Sequence, residues 1–236
     1  KALKEGDSEV GLAFDGDGDR LGVVTKDGEI IYPDRQAMLF AGDILSKRPG
    51  ATIVYDVKCT RNIKPFVESR GGKAVMSRTG HSLIKAKMKE VNADFAGEMS
   101  GHIFFHDRWP GFDDGVYAGT RMIEILTRFA DANEPLKNLP NAVSTPELQI
   151  PTAEGENFEL VEKIKQNAKF EDAKDIITID GIRVEWDDGF ALARPSNTTP
   201  VVVLRFEADS EDALKRIQQR FKDEILRVEP NARIPF

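Results

Sequence analysis

Two patterns of apolar and polar residues divide the chain near residue 140. Between residues 33 and 133, short apolar runs alternate with segments whose apolar residues recur at helical spacing, as Met38, Ala41, Ile44 and Leu45 do. The pattern predicts strands at 52–57, 74–77 and 94–96, and helices at 33–47, 62–70, 81–91 and 113–130. Strands separated by such helices predict right-handed βαβ units and a parallel sheet.

The residues before this region predict a small β-structure around a polar loop. Apolar runs at 10–14 and 21–25 flank the sequence Asp-Gly-Asp-Gly-Asp-Arg, and residues 26–29 are typical of a hairpin turn before a short strand at 30–32.

Beyond residue 140 the pattern favours strands that lie next to one another in sequence. It predicts strands at 143–150, near 176–179, and at 183–186, 190–194 and 201–207, with helices at 156–169 and 210–228. The run Trp-Asp-Asp-Gly-Phe at 186–190 is typical of a tight hairpin, so we expect an antiparallel sheet with helices on one face. A domain boundary is predicted within residues 133–141.

Composition excludes several classes of protein. The 236 residues carry 33 basic and 40 acidic side chains, a formal net charge of −7, which argues against a general nucleic-acid surface. No apolar run approaches the roughly 20 residues that span a bilayer, so we expect no membrane partner. Cys59 is the only cysteine, which excludes an intrachain disulfide and favours a reducing, cytoplasmic location. The chain begins with Lys1 and shows no signal peptide, and we expect it to be the C-terminal piece of a longer protein.

Three carboxylates at alternating positions give the strongest local indication of chemistry. Asp15, Asp17 and Asp19 are separated by glycines that allow a tight backbone, so their side chains can converge on one hard cation such as Mg²⁺. Arg20 beside them would face the same anionic ligand.

Other interpretations of this loop differ in strength. An EF-hand loop starting at Asp15 requires glycine at Arg20 and glutamate at Lys26, and a dinucleotide fingerprint requires glycine or alanine at Leu21, so both fail. A phosphohydrolase of the haloacid dehalogenase type, with Asp15 as nucleophile, stays open although Asp19 replaces its usual threonine or valine. A solvated acidic turn is the remaining alternative.

A second set of polar residues follows the predicted parallel strands. Ligands of open parallel sheets bind beyond the carboxyl ends of the strands, so these side chains are expected to line one cleft. They are Lys58, Arg78, His81, Glu98, Ser100 and His102. His106 has no such context and is expected to be structural.

A third candidate site is the turn at residues 194–200. Its hydroxyl and amide side chains, Ser196, Asn197 and Thr198, offer hydrogen bonds, and Arg194 can grip a phosphate with two parallel hydrogen bonds. An ordinary polar turn is the alternative.

Four motifs together resemble one enzyme family. Residues 11–20, 78–81, 97–102 and 194–200 read Gly-Leu-Ala-Phe-Asp-Gly-Asp-Gly-Asp-Arg, Arg-Thr-Gly-His, Gly-Glu-Met-Ser-Gly-His and Arg-Pro-Ser-Asn-Thr-Thr-Pro. Their order and spacing are similar to those of the α-D-phosphohexomutases, and the sugar loop at 97–102 most resembles that of the bacterial phosphomannomutase/phosphoglucomutase group.

The resemblance implies a four-domain enzyme that interconverts 1-phospho and 6-phospho hexoses through glucose 1,6-bisphosphate or mannose 1,6-bisphosphate and an enzyme phosphoserine. Residues 1–29 would be the end of an α/β domain, domain 2, with the metal-binding loop. Residues 30–140 would be domain 3, a complete parallel-sheet α/β domain that binds the sugar. Residues 141–236 would be domain 4, an α+β domain with an antiparallel sheet and two helices that binds phosphate.

The same resemblance implies a role for each candidate residue. Asp15, Asp17 and Asp19 would bind Mg²⁺. The residues implied in catalysis are Arg20 at the phosphoryl-transfer site, His102 as general acid/base, and Lys58 and His81 near it. Substrate would be bound by Lys58, Arg78, His81, Glu98, Ser100 and His102, and its non-reacting phosphate by Arg194, Ser196, Asn197 and Thr198. Met99 and His102 in the sugar loop favour use of both glucose and mannose phosphates.

One part of the family pattern does not occur in the 236 residues. No Thr-Ala-Ser-His-Asn type loop around a phosphoserine is found. We therefore expect a monomeric chain that binds hexose phosphates beside the N-terminal domains of the same protein, without completing turnover alone. The alternatives are a non-catalytic sugar-phosphate binding module and a Mg-dependent phosphohydrolase.

Overall fold

A small antiparallel sheet holds the two ends of the aspartate loop together. In the computed structural model, which describes residues 1–236, helix α1 (Ala2–Glu5) precedes strands β1 (Val10–Phe14), β2 (Leu21–Thr25) and β3 (Ile30–Ile31). Strand β2 pairs with both neighbours, and Phe14 lies opposite Leu21. The six residues between them are therefore a hairpin connection whose ends are fixed by the strand register.

The next elements form a four-stranded sheet with helices on both faces. They are α2 (Pro33–Lys47), β4 (Thr52–Asp56), α3 (Ile63–Glu68), β5 (Lys73–Ser77), α4 (His81–Val91), β6 (Phe95–Gly97), β7 (Ile103–Phe105), α5 (Gly115–Leu126) and α6 (Glu134–Lys137). The strand order is β5-β4-β6-β7, in which β4 is parallel to β5 and β6. The predicted parallel sheet is thus confirmed for three strands.

Strand alternation explains the two layers of helices. In β4, Ile53 belongs to the core cluster that contains Met122 of α5 and residues of α2, whereas Val54 belongs to the cluster with Ile84 and Met88 of α4. Successive side chains of a strand point to opposite faces, so a strand covered on both sides is apolar throughout.

Strand β7, like the short helices α1 and α6, was not predicted from the periodicity. It runs antiparallel to β6, with Phe95 opposite Phe105. Residues 98–102 between the two strands form a short turn in which the Gly101 amide donates to the Glu98 carbonyl. That turn returns the chain along the edge of the sheet and places the polar loop at the carboxyl end of β6.

Residues 142–236 form a second compact unit after Lys1–Asn141. Its elements are β8 (Val143–Ser144), β9 (Leu148–Pro151), α7 (Glu156–Asn167), β10 (Asp175–Ile177), β11 (Ile182–Trp186), β12 (Gly189–Pro195), β13 (Val201–Ala208) and α8 (Glu211–Val228). All strands pair antiparallel in the order β10-β11-β12-β13, with β8 and β9 both on β13. The predicted antiparallel sheet with two helices is confirmed.

The predicted strand 143–150 is two strands because Pro146 lies between them. Proline has no amide hydrogen for the ladder. The core of this unit lies where Ala191 and Phe206 meet Ile164 of α7 and Phe221 of α8.

Membrane-crossing helices are not found: none in the chain is both long and apolar enough.

Candidate functional site

The aspartate loop gathers three carboxylates around one arginine. Ligand oxygens of Asp15, Asp17 and Asp19 lie within 4.8 Å of one another. The Arg20 amide donates to Asp15 Oδ1 at 3.1 Å, and Arg20 Nε lies 2.7 Å from Asp15 Oδ2. Burial acts to raise the pKa of Asp15, but the hydrogen bonds and charge of Arg20 outweigh it and hold that pKa below its usual value.

The donor set of this loop fits a hard divalent cation. Asp19 Oδ1 is buried and has no hydrogen-bond partner, and its nearest positive charge is Arg20 Nε at 3.6 Å, so the oxygen keeps its capacity to bind a cation. Three carboxylate oxygens and no nitrogen or sulfur are the ligands that Mg²⁺ prefers. The predicted metal ligands are therefore chemically suited to the ion.

The loop is fixed by close backbone packing against helix α5. Gly18 has φ +76°, a left-handed conformation that suits glycine, and its carbonyl accepts a 3.1 Å hydrogen bond from the Gly115 amide. A Cβ at Gly115 would lie 2.6 Å from the Arg20 carbonyl oxygen. Only glycine fits at this first residue of α5.

A single β-bridge joins the aspartate loop to the loop at residues 97–102. Arg20 pairs antiparallel with His102, and the Leu21 amide donates to the Gly101 carbonyl at 3.4 Å. Gly101 has φ +104° at this point of close approach. The candidate residues from two distant sequence motifs therefore lie side by side.

Buried Glu98 lies next to the half-buried ring of His102. Glu98 is 1% exposed, and its Oε1 accepts a 2.6 Å hydrogen bond from the Gly80 amide. Its Oε2 lies 3.2 Å from His102 Nδ1, and Ser100 Oγ lies 3.0 Å from the same nitrogen. The bond to Glu98 raises the pKa of His102; burial opposes that shift, and the negative charge of Asp19 adds to it.

Asp113 joins this group although its position did not single it out in the sequence. Its Oδ1 accepts a 3.0 Å hydrogen bond from Lys85 Nζ, and its Oδ2 lies 3.6 Å from His81 Nδ1. The His81 ring stacks on His102 with centroids 5.7 Å apart. Burial acts to raise the pKa of Asp113, but Lys85 outweighs it and the pKa is lowered.

The apolar pattern predicts a helix that starts at residue 113, so it does not indicate that Asp113 lies beside the candidate site residues. The helix begins at Gly115, and Asp114 caps it by accepting a 2.8 Å hydrogen bond from the Tyr117 amide. Two consecutive aspartates precede the helix and only one caps it, which is the sequence feature that could have identified Asp113.

A buried aspartate organises the loops after three neighbouring strands. Asp56, at the end of β4, is fully buried and accepts hydrogen bonds from Thr79 Oγ1 at 2.7 Å and from the Met99 amide at 3.1 Å. Lys58 follows it and is buried, whereas Arg78 follows β5 and is exposed. Both occupy the carboxyl ends of parallel strands as predicted.

The turn between β12 and β13 is built around a serine hydroxyl. Ser196 Oγ accepts hydrogen bonds from the amides of Thr198 at 3.3 Å and Thr199 at 3.2 Å. Arg194 is buried, donates from Nε to Asp180 at 2.9 Å, and leaves its buried Nη2 without a hydrogen-bond partner. Asn197 is exposed like Thr198. A buried guanidinium with an unused donor suits an anionic ligand.

Comparison with known proteins agrees with these motifs. Residues 32–144 match the family model of phosphoglucomutase/phosphomannomutase, alpha/beta/alpha domain III, and residues 147–224 match that of the phosphoglucomutase/phosphomannomutase C-terminal domain.

Several relatives are closely similar in sequence. The chain is 60% identical over 222 residues to a phosphoglucomutase of Neisseria gonorrhoeae, covering 94% of the chain and 48% of that protein. It is 49% identical over 235 residues to a phosphomannomutase/phosphoglucomutase of Pseudomonas aeruginosa, covering 99% of the chain and 50% of that protein. The chain thus spans about half the length of these relatives.

Solved structures share the fold. A phosphoglucomutase/phosphomannomutase family protein from Burkholderia thailandensis is 61% identical with a TM-score of 0.95, over 99% of this chain and 50% of that one. An N-acetylphosphoglucosamine mutase from Aspergillus fumigatus, in complex with GlcNAc-6P and magnesium, is 16% identical with a TM-score of 0.68, over 95% of this chain and 50% of that one. Because two consecutive domain models and a closely matching structure agree, the chain belongs to the phosphoglucomutase/phosphomannomutase family, of which it carries the C-terminal portion.

Proposed function

We propose that this chain is the metal- and sugar-binding half of a mutase that interconverts hexose 1-phosphate and hexose 6-phosphate. The observation that carries the proposal is the Arg20–His102 bridge, which sets the aspartate loop beside the Glu98–His102 pair. The named relatives include phosphoglucomutases and phosphomannomutase/phosphoglucomutases, which supports glucose and mannose phosphates as substrates.

Asp15, Asp17 and Asp19 would hold Mg²⁺, which supplies positive charge to a phosphoryl group in transfer. The magnesium in the Aspergillus fumigatus complex supports the choice of ion. Arg20 lies beside this loop, and its guanidinium would face the same phosphoryl oxygens.

The residues at the carboxyl ends of the strands would handle the sugar. Glu98 and Ser100 would hydrogen-bond sugar hydroxyls. His102 would exchange a proton with the reacting hydroxyl, since an imidazole titrates near neutral pH. Lys58, Arg78 and His81 would add positive charge around the substrate.

The turn of the second unit would hold the phosphate that does not react. Support comes from the unused Nη2 donor of Arg194 and from a turn already ordered by the Ser196 hydroxyl. Asn197 and Thr198 would add hydrogen bonds from exposed positions.

The full cycle would use further parts of the parent protein. A bisphosphorylated hexose, glucose or mannose 1,6-bisphosphate, would pass its phosphoryl group to and from an enzyme phosphoserine. Residues 1–236 contain no motif for that serine, so we propose that they bind substrate without turnover, as a monomer in the cytoplasm beside the N-terminal domains. A phosphohydrolase with Asp15 as nucleophile is disfavoured because Arg20 engages both of its carboxylate oxygens.

Nuclear magnetic resonance of the ¹⁵N-labelled chain tests the proposal. Addition of glucose 1-phosphate and Mg²⁺ should shift the amides of 97–102 and of 194–198, whereas glucose alone should leave 194–198 unchanged. Mannose 1-phosphate should act similarly. Glu98→Gln should weaken the response of 97–102, and Glu90→Gln, an exposed glutamate of α4, serves as the control.

Two outcomes would contradict the proposal. Turnover of hexose phosphate by the pure chain would refute the statement that it cannot complete the cycle. Phosphate release that disappears in Asp15→Asn would favour the hydrolase instead.

A further inference from the structure

Asp19 belongs to two different groups of potential metal ligands. One is the aspartate triad described above, and the other joins Asp19 to His102 and Asp113, whose ligand atoms also lie within 4.8 Å of one another. The second group contains an imidazole nitrogen, which the first lacks. The two groups therefore suit ions of different chemistry.

The ring of His102 has one nitrogen beside a carboxylate and the other nitrogen toward Asp19, as in many metal-binding histidines. Nδ1 lies 3.2 Å from Oε2 of Glu98, a buried oxygen without a hydrogen-bond partner, and 3.0 Å from the hydroxyl oxygen of Ser100. A proton on Nδ1, which faces these two oxygens, leaves the lone pair on Nε2. Nε2 lies 3.4 Å from Asp19 Oδ2. A carboxylate behind a histidine is the usual outer-shell arrangement of zinc sites.

Asp113 supplies the third ligand from a fixed position. Its side chain is 10% exposed, and Lys85 holds one of its oxygens at 3.0 Å. Two ligands of a tetrahedral ion with bonds of about 2.0–2.2 Å lie roughly 3.4 Å apart. The spacing of His102 Nε2 and Asp19 Oδ2 already has this value.

We propose that Asp19, His102 and Asp113 form a second metal site that binds zinc or a similar divalent ion with affinity for imidazole. Mg²⁺ binds oxygen ligands in octahedral geometry and discriminates against imidazole, so it would select the aspartate triad. Zinc bound to Nε2 would prevent His102 from making the proton exchange that the proposed function assigns to it, which makes the site inhibitory. The binding test does not depend on that reaction.

Calorimetric titration of the chain with ZnCl₂ in excess Mg²⁺ tests the ligand set. The parent chain should bind one zinc ion, and His102→Gln and Asp113→Asn should weaken that binding by at least about tenfold. Asp17→Asn removes a ligand of the aspartate triad alone, so it should weaken Mg²⁺ and leave zinc unchanged. Asp113→Asn should weaken zinc binding and leave Mg²⁺ binding unchanged. His106→Gln controls for histidines outside the site.

Histidine-ring nuclear magnetic resonance on the unsubstituted chain tests the site without any variant. Zinc should shift Nε2 of His102, keep a proton on Nδ1, and leave His106 unshifted. Equal zinc affinity in Asp113→Asn, equal loss of zinc in Asp17→Asn, or an unperturbed His102 ring would each overturn the proposal. Circular dichroism on each variant shows whether it is folded.

Discussion

Replacing Gly115 with alanine tests whether helix α5 fixes the metal loop. The added Cβ would lie 2.6 Å from the Arg20 carbonyl oxygen and 2.8 Å from that of Gly18. The first distance is about 0.8 Å short of the 3.4 Å at which ordinary van der Waals contact begins. Both neighbours are backbone atoms, so the loop has to move, and the 3.1 Å hydrogen bond from the Gly115 amide moves with it.

The expected cost follows from two opposing effects. Overpacking of this kind costs about 1–3 kcal/mol, whereas alanine gains at most about 1 kcal/mol of helix propensity over glycine. Because the 2.6 Å contact is with backbone atoms, we expect an overpacking cost of about 2–3 kcal/mol and hence a net loss of about 1–2 kcal/mol. If the substitution destabilises only the metal-binding conformation of the loop, the affinity for Mg²⁺ falls by a factor of about 5–30.

Two glycines provide matched controls. Gly16 lies in the same loop with nothing within 4 Å of its Cβ position, and Gly42 lies inside α2 with its nearest contact, Phe66, at 3.5 Å. Gly16→Ala should leave stability almost unchanged, and Gly42→Ala should be neutral or stabilising.

Urea denaturation followed by Trp109 fluorescence measures the unit that contains Gly115. The two tryptophans lie in different units, so a Trp186→Phe background isolates the signal of Trp109. Calorimetry gives the Mg²⁺ affinity. A Gly115→Ala chain that is as stable as its background and binds Mg²⁺ equally well would refute the claim that the loop is held by this contact.

Three further predictions concern other parts of the chain. Ser210→Ala removes the cap of α8, which accepts from the Ala213 amide, and should cost about 1 kcal/mol in urea denaturation. Arg121→Met leaves buried Asp107 without its 2.9 Å partner and should cost about 3–5 kcal/mol by thermal unfolding. Burial acts to raise the pKa of Glu224, but its arginine partners outweigh it and lower that pKa, so its stabilisation is present above about pH 4.5 and lost as the pH falls further. Glu224→Gln should therefore be less stable at pH 7, with the gap to the parent closing in acid; a pH-independent gap would contradict this.

The sequence predicted those elements whose pattern is local. The helix at Pro33–Lys47 and the strands β4 to β6 follow from the apolar pattern, and strands β1 and β2 follow from two apolar runs around a glycine-rich loop. Domain limits and the roles of individual site residues stay predictions.

What the sequence did not predict depends on contacts between distant segments. Asp56 is the last residue of a strand, and the sequence does not show that Thr79 and Met99 donate hydrogen bonds to it. Asp113 reads as the first residue of a helix, and its partners Lys85 and His81 lie about thirty positions away. Strand β7 is three residues long, and its pairing with β6 depends on the turn at residues 98–102 that reverses the chain.

If residues 15–20 bind Mg²⁺ and residues 97–102 bind the sugar, as we propose, the bridge between Arg20 and His102 couples the two affinities. The two loops share backbone hydrogen bonds, so a conformation that one ligand selects in residues 15–20 also changes the population of conformations in 97–102. By thermodynamic linkage, whatever factor Mg²⁺ contributes to the affinity of a hexose phosphate, the hexose phosphate contributes to that of Mg²⁺. A substrate bound in the correct orientation would thus retain its own metal ion, and departure of either ligand would loosen the other.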